Sequence, residues 1–519
     1  MASSERKTWF GFRPAVAWIA LLLAVTFGGL GKAPAATIHY IAANGADSNR
    51  GTSKTTPWLH LPGMVGCSNN CSRYTPVAGD QFILRGGDSW VNANFPITWT
   101  WSGSSGNPIY IGVDQTWYTG SAWTRPVFDA GGQAISGSFN LFIKLWSQTY
   151  VTIDNIEMRN FYWDGVGSYG QLGYLALNGS DYITLNHLYL HAWTHHDPSD
   201  GTTDTNCMIV LGDTHSYYDA NTVFENGVIQ NADGDNDSCY GFYAWSNLEN
   251  SVIHDAPNGA LFASQPVKII SGNLVYNITT SFGGVHENAF EMVGSGTNYV
   301  YNNVIHDVTI GESLMLGNTG ETDYVWNNVF YNIGSAAPPR YPQSTGETGI
   351  NMYYWNNTIV TGRSISCFTW SSGHGGIFGT VAIQNNHCIT TGSNVYDTGF
   401  PVTTLTVDHN VLQTAITATS EGYTSGGTYA YSPSPTSPTS STLNAGTAIC
   451  EVEETCTGNL AALASDTTYA CTQQTLNGVV ESVCPARKVV SRPASGAWSV
   501  GAYQSALPVA PSGLTGVVH

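Results

Sequence analysis

Acids and histidines gather in the middle of this 519-residue chain, at HHDPSDG (195–201), NADGDNDSC (231–239), GGVHENAFEM (283–292), IHDVTIGESLML (305–316) and GETGINM (346–352). Cleaving a glycosidic bond needs one carboxylic acid to protonate the leaving oxygen and a second carboxylate to activate water or attack the sugar. Glu287 and Glu312 are the expected pair, with His286 tuning one of them or taking a proton and Asp235 close by. The plainer alternative makes both glutamates solvated loop acids, and makes His254 and His306 turn residues of a recurring IHD phrase.

Asp233, Asp235 and Asp237 alternate in DGDND, a spacing that converges hard oxygen ligands on Ca2+. The match to a helix–loop–helix calcium site stops there, since position six is Ser238 rather than Gly and position twelve Ala244 rather than Glu. An acidic surface loop is the alternative. Several aromatic residues fall in expected loops: Trp163, Trp193, Tyr217, Tyr218, Trp245 and Tyr341. Sugars present apolar C–H faces that pack on such rings, so Trp163, Trp193, Trp245 and Tyr341 are the expected substrate-binding set, against the alternative that they pack between elements.

Elements that could position these groups repeat. Between residues 150 and 410 one phrase returns ten times, an apolar strand, one or two asparagines, then a second β-rich strand: VTIDNIEMRN, YITLNHLYLH, TVFENGVIQN, LENSVIHD, IISGNLVYN, YVYNNVIHD, YVWNNVFYN, YYWNNTIVTG, VAIQNNHCIT and LTVDHNVLQT. Anchored on Asn155, Asn186, Asn226, Asn250, Asn273, Asn303, Asn328, Asn357, Asn386 and Asn410, the copies lie 23 to 40 residues apart. That period, filled with Val, Ile and aromatic residues, predicts an all-β single-stranded solenoid in which fixed strands alternate with outward loops. The asparagines suit its sharp turns, because Asn tolerates left-handed backbone angles and its amide can pass hydrogen bonds from coil to coil. Glu287 then falls in the coil between Asn273 and Asn303, Glu312 in the next and Glu347 in the one after. Carboxylates at equivalent places on neighbouring coils would stand about 5 Å apart, and on alternate coils about 10 Å, which brackets the separations that glycosidases use.

Arg6, Lys7 and Arg13 precede an apolar run from Ala15 to Leu30, and Ala33, Ala35 and Ala36 follow it, which reads as a signal peptide over 1–36. The expected destination is extracellular or periplasmic, as a monomer with no integral membrane span after the signal is removed. Residues 37–430 are expected to form the solenoid with its N-terminal cap, 431–442 a Pro/Ser/Thr-rich linker, and 443–519 a Cys-rich C-terminal cap. The chain has 17 basic and 36 acidic residues, of which the signal takes Arg6, Lys7, Arg13, Lys32 and Glu5, leaving a net charge of −22. This excludes nucleic acid as a partner and disfavours a polyanionic glycan unless cations bridge the two. Charged residues are only 10% of the chain, against roughly 25% in an ordinary soluble protein. Ten cysteines fit an oxidising compartment, and proximity suggests pairs 67–71, 207–239, 367–388, 450–456 and 471–484, although spacing does not fix connectivity.

The opening IHYIAANGADSNRGTSKTTPWLHLPGM (38–64), the phrase GDQFILRGG (79–87), the NNVIHD-type repeats and the ending RPASGAWSVGAYQ (492–504) resemble secreted bacterial right-handed parallel β-helix proteins of the pectate-lyase-like superfamily. The resemblance covers nearly the whole chain after the signal. It implies the fold, and an activity drawn from polysaccharide lyases, glycoside hydrolases, epimerases or non-enzymatic adhesins. Lys268, Arg340 and Arg363, the cations a lyase would need, do not cluster, and SSGHGG (371–376) carries only a fragment of a polygalacturonase signature. A hydrolase acting on an extended, neutral or weakly charged polysaccharide along one lateral face is therefore favoured over β-elimination. The alternative is a non-catalytic glycan-binding or adhesion protein of the cell surface.

Overall fold

In the computed structural model three sheets, each wholly parallel, wind up the chain in a fixed order. The structure describes residues 35–504 apart from 136–140, 164–172, 196–207, 213–221, 231–239, 257–258, 264–266, 279–287, 293–294, 309–312, 316–318, 334–347, 363, 370–376, 398, 400, 424–440, 454–455, 468–469 and 485–488. One coil shows the pattern: Val267–Ser271 lies in the first sheet, Leu274–Ile278 in the second and Asn288–Met292 in the third. The chain then returns to the first sheet at Gly296–Tyr301, paired in parallel with Val267–Ser271. Strand, crossover and parallel strand repeated in this sense make a right-handed parallel β-helix. Among the described residues, no helix is long and apolar enough to cross a membrane.

Alternation along each strand sends every second side chain inward. In the first sheet the row Ile153, Leu185, Phe224, Leu248, Ile270, Val300, Val325, Tyr354 and Ile383 runs through successive registers. Each is at most 2% exposed. Burying one such side chain is worth about 1.5–3 kcal/mol, so the stack itself holds the coils together.

The turn between the first and second sheets has two positions, and they divide the asparagines into two kinds. The first position is left-handed and holds Asn155, His187, Asn226, Asn250, Gly272, Asn302, Asn327, Asn356, Asn385 and His409, with φ between 50° and 69°. The second position carries the inward ladder, Asn273, Asn303, Asn328, Asn357, Asn386 and Asn410. Each amide Nδ2 donates to the next Oδ1 at 3.0–3.1 Å, and each of those oxygens also accepts a backbone N–H. The sequence reading joined ten asparagines in a single ladder, and this is corrected. Asn155, Asn226 and Asn250 set the backbone angle, Asn186 precedes the turn, and the ladder proper starts at Asn273, with Ser251 and Gly227 in its place on the two preceding coils.

His254 and His306 are likewise not turn residues. They lie in strands of the second sheet and stack with Tyr276 and Tyr331, at centroid separations of 4.6, 5.1 and 4.6 Å along the order 254, 276, 306, 331. The left-handed residues beside them are Asp255, Asn277, Asp307 and Asn332.

The C-terminal tail lies along the flank of the coils. Asn356 donates to the Ser499 and Gly501 carbonyls, and Trp498 packs with Trp326 and Trp355. A hairpin of Thr472–Leu476 and Val479–Val483 reaches back to the early coils, where Arg125, 2% exposed, pairs with Glu481 at 2.7 Å. Disulfides join Cys67–Cys71, Cys367–Cys388, Cys450–Cys456 and Cys471–Cys484. Cys207 and Cys239 lie outside the described residues.

At the N-terminal end His39 is 2% exposed, enclosed by Trp58, Tyr74 and Phe82 with ring centroids 4.4, 4.1 and 5.4 Å away. Burial pushes its imidazole down to about 4, only partly opposed by Asp80. A neutral histidine in the fold and an ordinary one in the unfolded chain give a definite sign. Between pH 6.5 and about 4 the unfolded state holds more protons, so stability falls as the pH falls through that window. His387, buried against Gln413, is also lowered to about 4 and acts in the same direction. We expect His39→Phe to flatten the stability profile between pH 4 and 6.5, gaining up to about 3 kcal/mol at the acid end. Urea denaturation at a series of pH values checks this, and an unchanged slope refutes it.

Candidate functional site

The third sheet holds the described strands that come next in the chain after two of the acids singled out in the sequence. Phe290 and Met292 belong to the main core, so Glu291 between them points to the opposite face. Its register row runs Lys144, Ala176, Leu211, Tyr243, Phe262, Glu291 and Met315. Leu141, Ala176 and Leu211 form an apolar cluster separate from the main core, with Tyr243 packed against it. Glu291 is 5% exposed, and the Asn288 amide donates to its Oε2 at 3.2 Å.

Two neighbouring strands of this sheet begin just after the predicted pair. Asn288–Met292 follows Glu287 directly in the chain, and Leu314–Met315 stands two residues beyond Glu312, with Phe290 opposite Leu314 in register. Glu287, His286, Glu312 and Glu347 themselves lie outside the described residues, as do Asp233, Asp235, Asp237, Tyr217, Tyr218, Tyr341, Arg340 and Arg363. Among the described residues no group of three or more His, Cys, Asp or Glu side chains could hold a metal ion.

Two of the predicted sugar-binding aromatics are corrected. Trp193 is 1% and Trp245 0% exposed, both in the main core. Trp193 follows Ala192, whose φ of 56° redirects the chain after the strand Tyr189–His191, and the Trp245 indole donates to the Asn247 carbonyl at 2.7 Å. A large ring with one polar atom satisfied by backbone gains more from burial than from display. Trp163 ends the strand Glu157–Trp163, and its side chain is outside the description.

Sequence reasoning passed over two further groups. Glu225 and Glu249 face each other across neighbouring strands of the first sheet, outward because Phe224 and Leu248 point in. Burial, then the Glu225 charge, pushes the Glu249 carboxyl up. The ENG and ENS phrases carried the signal, a glutamate at the same place in two successive repeats. The second group is interior. Lys268, Asn298 and Asp323 occupy one row of the first sheet, two residues before the core positions Ile270, Val300 and Val325, and all are 0% exposed, as is Glu321. The Asn298 amide donates to Glu321 and to Asp323, the latter at 2.5 Å. Lys268, which a lyase reading would have offered to a substrate carboxylate, is thus enclosed in the core.

No family model matches the chain, and neither does any curated protein. Solved structures similar to it include a lacto-N-biosidase from Eubacterium ramulus, at 13% identity over 73% of this chain and 68% of that one with a TM-score of 0.35. Pectate lyase Pel9A shares 17% identity over 79% and 92% of the two chains with a TM-score of 0.37, and a rhamnogalacturonan lyase 14% over 72% and 87% with 0.40. What places the chain is its own register: three all-parallel sheets wound in turn make it a right-handed parallel β-helix, as the resemblance implied.

Proposed function

We propose that this protein is an exported glycan-cleaving enzyme of the hydrolase type, working on the outer face of the third sheet with Glu287 and Glu312 as its acid and base or nucleophile. The observation that carries the reading is the Phe290 to Leu314 pairing, because it makes the strands that follow the two glutamates immediate neighbours. Glu291, buried on the same outer row, adds a third carboxylate that would hold a neighbouring acid in its protonated form. His286 and Asp235 complete the proposed machinery, Trp163 and Tyr341 its sugar contacts, and Asp233, Asp235 and Asp237 a calcium loop.

Hydrolysis is preferred to β-elimination on charge. A lyase must neutralise a uronate carboxylate beside its base, yet on the described outer row the cation is Lys144, five registers from Glu291, or about 24 Å. The test is incubation with a panel of neutral and acidic polysaccharides, with and without calcium, following both reducing ends and the absorbance of unsaturated products. New reducing ends without unsaturation are expected, and Glu287→Gln or Glu312→Gln should lower kcat roughly 100- to 10,000-fold. Unsaturated products would make it a lyase, and retention on a glycan with no cleavage would make it a binding protein. Unchanged activity in both glutamine variants would remove the residue assignment.

A further inference from the structure

At the corner between the first and second sheets the chain leaves a cleft of about 820 Å³. Three remote parts of the sequence build it: the stretch from Gln115 to Trp123, the left-handed turn residues Asn155, His187 and Asn226 of three successive coils, and the C-terminal hairpin. The hairpin wall is fixed in place. Arg125 donates to Glu481 and to the Val480 and His187 carbonyls, Ser482 donates to the Asn250 carbonyl at 2.7 Å, and Cys471–Cys484 closes the hairpin's base. Such a volume, walled by fixed elements, is in the range of small-ligand sites.

The lining selects the ligand class. Tyr118 and Leu476, 40% and 47% exposed, both face the cleft, and Trp123 stands beside them, so apolar surface that could have been buried is displayed at one place. Around it are the amides of Gln115, Asn155, Asn226 and Asn477, while the Glu481 carboxylate is paired with the buried Arg125 guanidinium at 2.7 Å and stands 3.7 Å from His187 Nδ1, so that pair presents little net charge to a ligand. Glu225 and Glu249 flank the corner on the first sheet, Glu225 directly before Asn226 in the chain and the Glu249 carbonyl accepting the Asn226 N–H at 3.2 Å. Rings for C–H faces, amides for hydroxyls and negative charge in the surroundings favour an uncharged sugar and oppose a uronate.

We infer that this cleft is a second glycan-binding site, specific for neutral oligosaccharides and lying at the corner opposite the third sheet. It rests on the glycan reading above, and extends it from one face of the coil to two. Hydroxyl-radical footprinting of the full chain with xylohexaose, cellohexaose and a galacturonic acid hexamer tests it. A neutral probe should protect Tyr118 and Trp123 from oxidation, the acidic probe should not, and Ala122→Trp, which fills the cleft from its exposed rim, should cancel the protection. A neutral glycan that is cleaved, or that protects Tyr243 on the third sheet, while Tyr118 and Trp123 oxidise at the unliganded rate overturns the cleft and leaves the active face standing. Protection by the acidic probe alone overturns the ligand class. If no probe is bound or cleaved, both readings fall together.

Discussion

Replacing Asn328 by Ala is expected to destabilise the protein by about 4 kcal/mol, near the upper end of what a single side chain can do. Asn328 is wholly buried, and its Oδ1 accepts both the Asn303 backbone N–H and the Asn303 amide at 3.0 Å. Its Nδ2 donates to the Val300 carbonyl at 2.9 Å and to Asn357 Oδ1 at 3.0 Å. Alanine removes all four bonds and leaves their partners inside, where each orphaned polar group costs about 1–3 kcal/mol and water has no way in. Asn410, the last rung and only half-buried, makes three such bonds, and solvent can replace part of them. Asn410→Ala should therefore cost only about 1–2 kcal/mol.

The neighbouring asparagine separates the two jobs. Asn327 sits at φ 58° and donates to the Ser465 carbonyl at 3.0 Å. Glycine adopts that angle without strain, so Asn327→Gly should lose little beyond the one tether, about 1 kcal/mol, while Asn328→Gly should cost as much as the alanine. Calorimetry of the four variants decides it. Equal losses at 327 and 328 would mean that the ladder and the turn are not distinct.

These two positions also show how far the sequence could be read. The doublets YNN, WNN, WNN and QNN announce a sharp turn and a stack of amides, and the period between them counts the coils. The earlier phrases, DNI, LNH, ENG and ENS, carry an asparagine one or two places off the ladder, because there the turn needs only its backbone angle and the inward position is filled by Ile156, Leu188, Gly227 or Ser251. Residue type alone does not distinguish a side chain chosen for φ from one chosen for its amide. The loops are harder still. Trp193 sits in polar company in the sequence, yet its ring turns into the core once the backbone angle at Ala192 is supplied, and Trp245, at the end of the strand Tyr240–Trp245, turns in once its indole finds the Asn247 carbonyl. The strands that follow the candidate glutamates were legible as neighbours in the repeat because strand register follows from the period, whereas Glu291 was hidden inside NAFEM, where only the identity of the inward residues reveals that it points out.

Lys268→Met is expected to cost about 3–5 kcal/mol, because it breaks a buried charge cluster by removing its cation. The inward row KIIS, NYVY and DYVW places Lys268, Asn298 and Asp323 on consecutive strands, with Glu321 close enough that both carboxylates act on the lysine. Burial lowers the ammonium's proton affinity, and the two carboxylates raise it in opposition. Among the described residues no hydrogen bond reaches its Nζ, so its partnership is one of charge. With methionine of similar length in its place the volume is kept, and two carboxyl groups remain in the core without a counter-charge. Their folded-state affinity for protons must then rise above its unfolded value. Such a group contributes stability below its unfolded pKa, roughly pH 4, and loses it as the pH rises, so the deficit of the variant should shrink toward acid and grow toward neutrality. A simple packing defect would give a pH-independent deficit instead. The triple variant Lys268→Met, Glu321→Gln, Asp323→Asn removes every formal charge while keeping the amide contacts to Asn298, and should recover most of the loss, as replacing a whole buried ionic cluster often does. Denaturant titrations of wild type, single and triple variants between pH 4 and 8 distinguish these outcomes, and a triple variant no more stable than the single one would show that the cluster's geometry matters more than its charge.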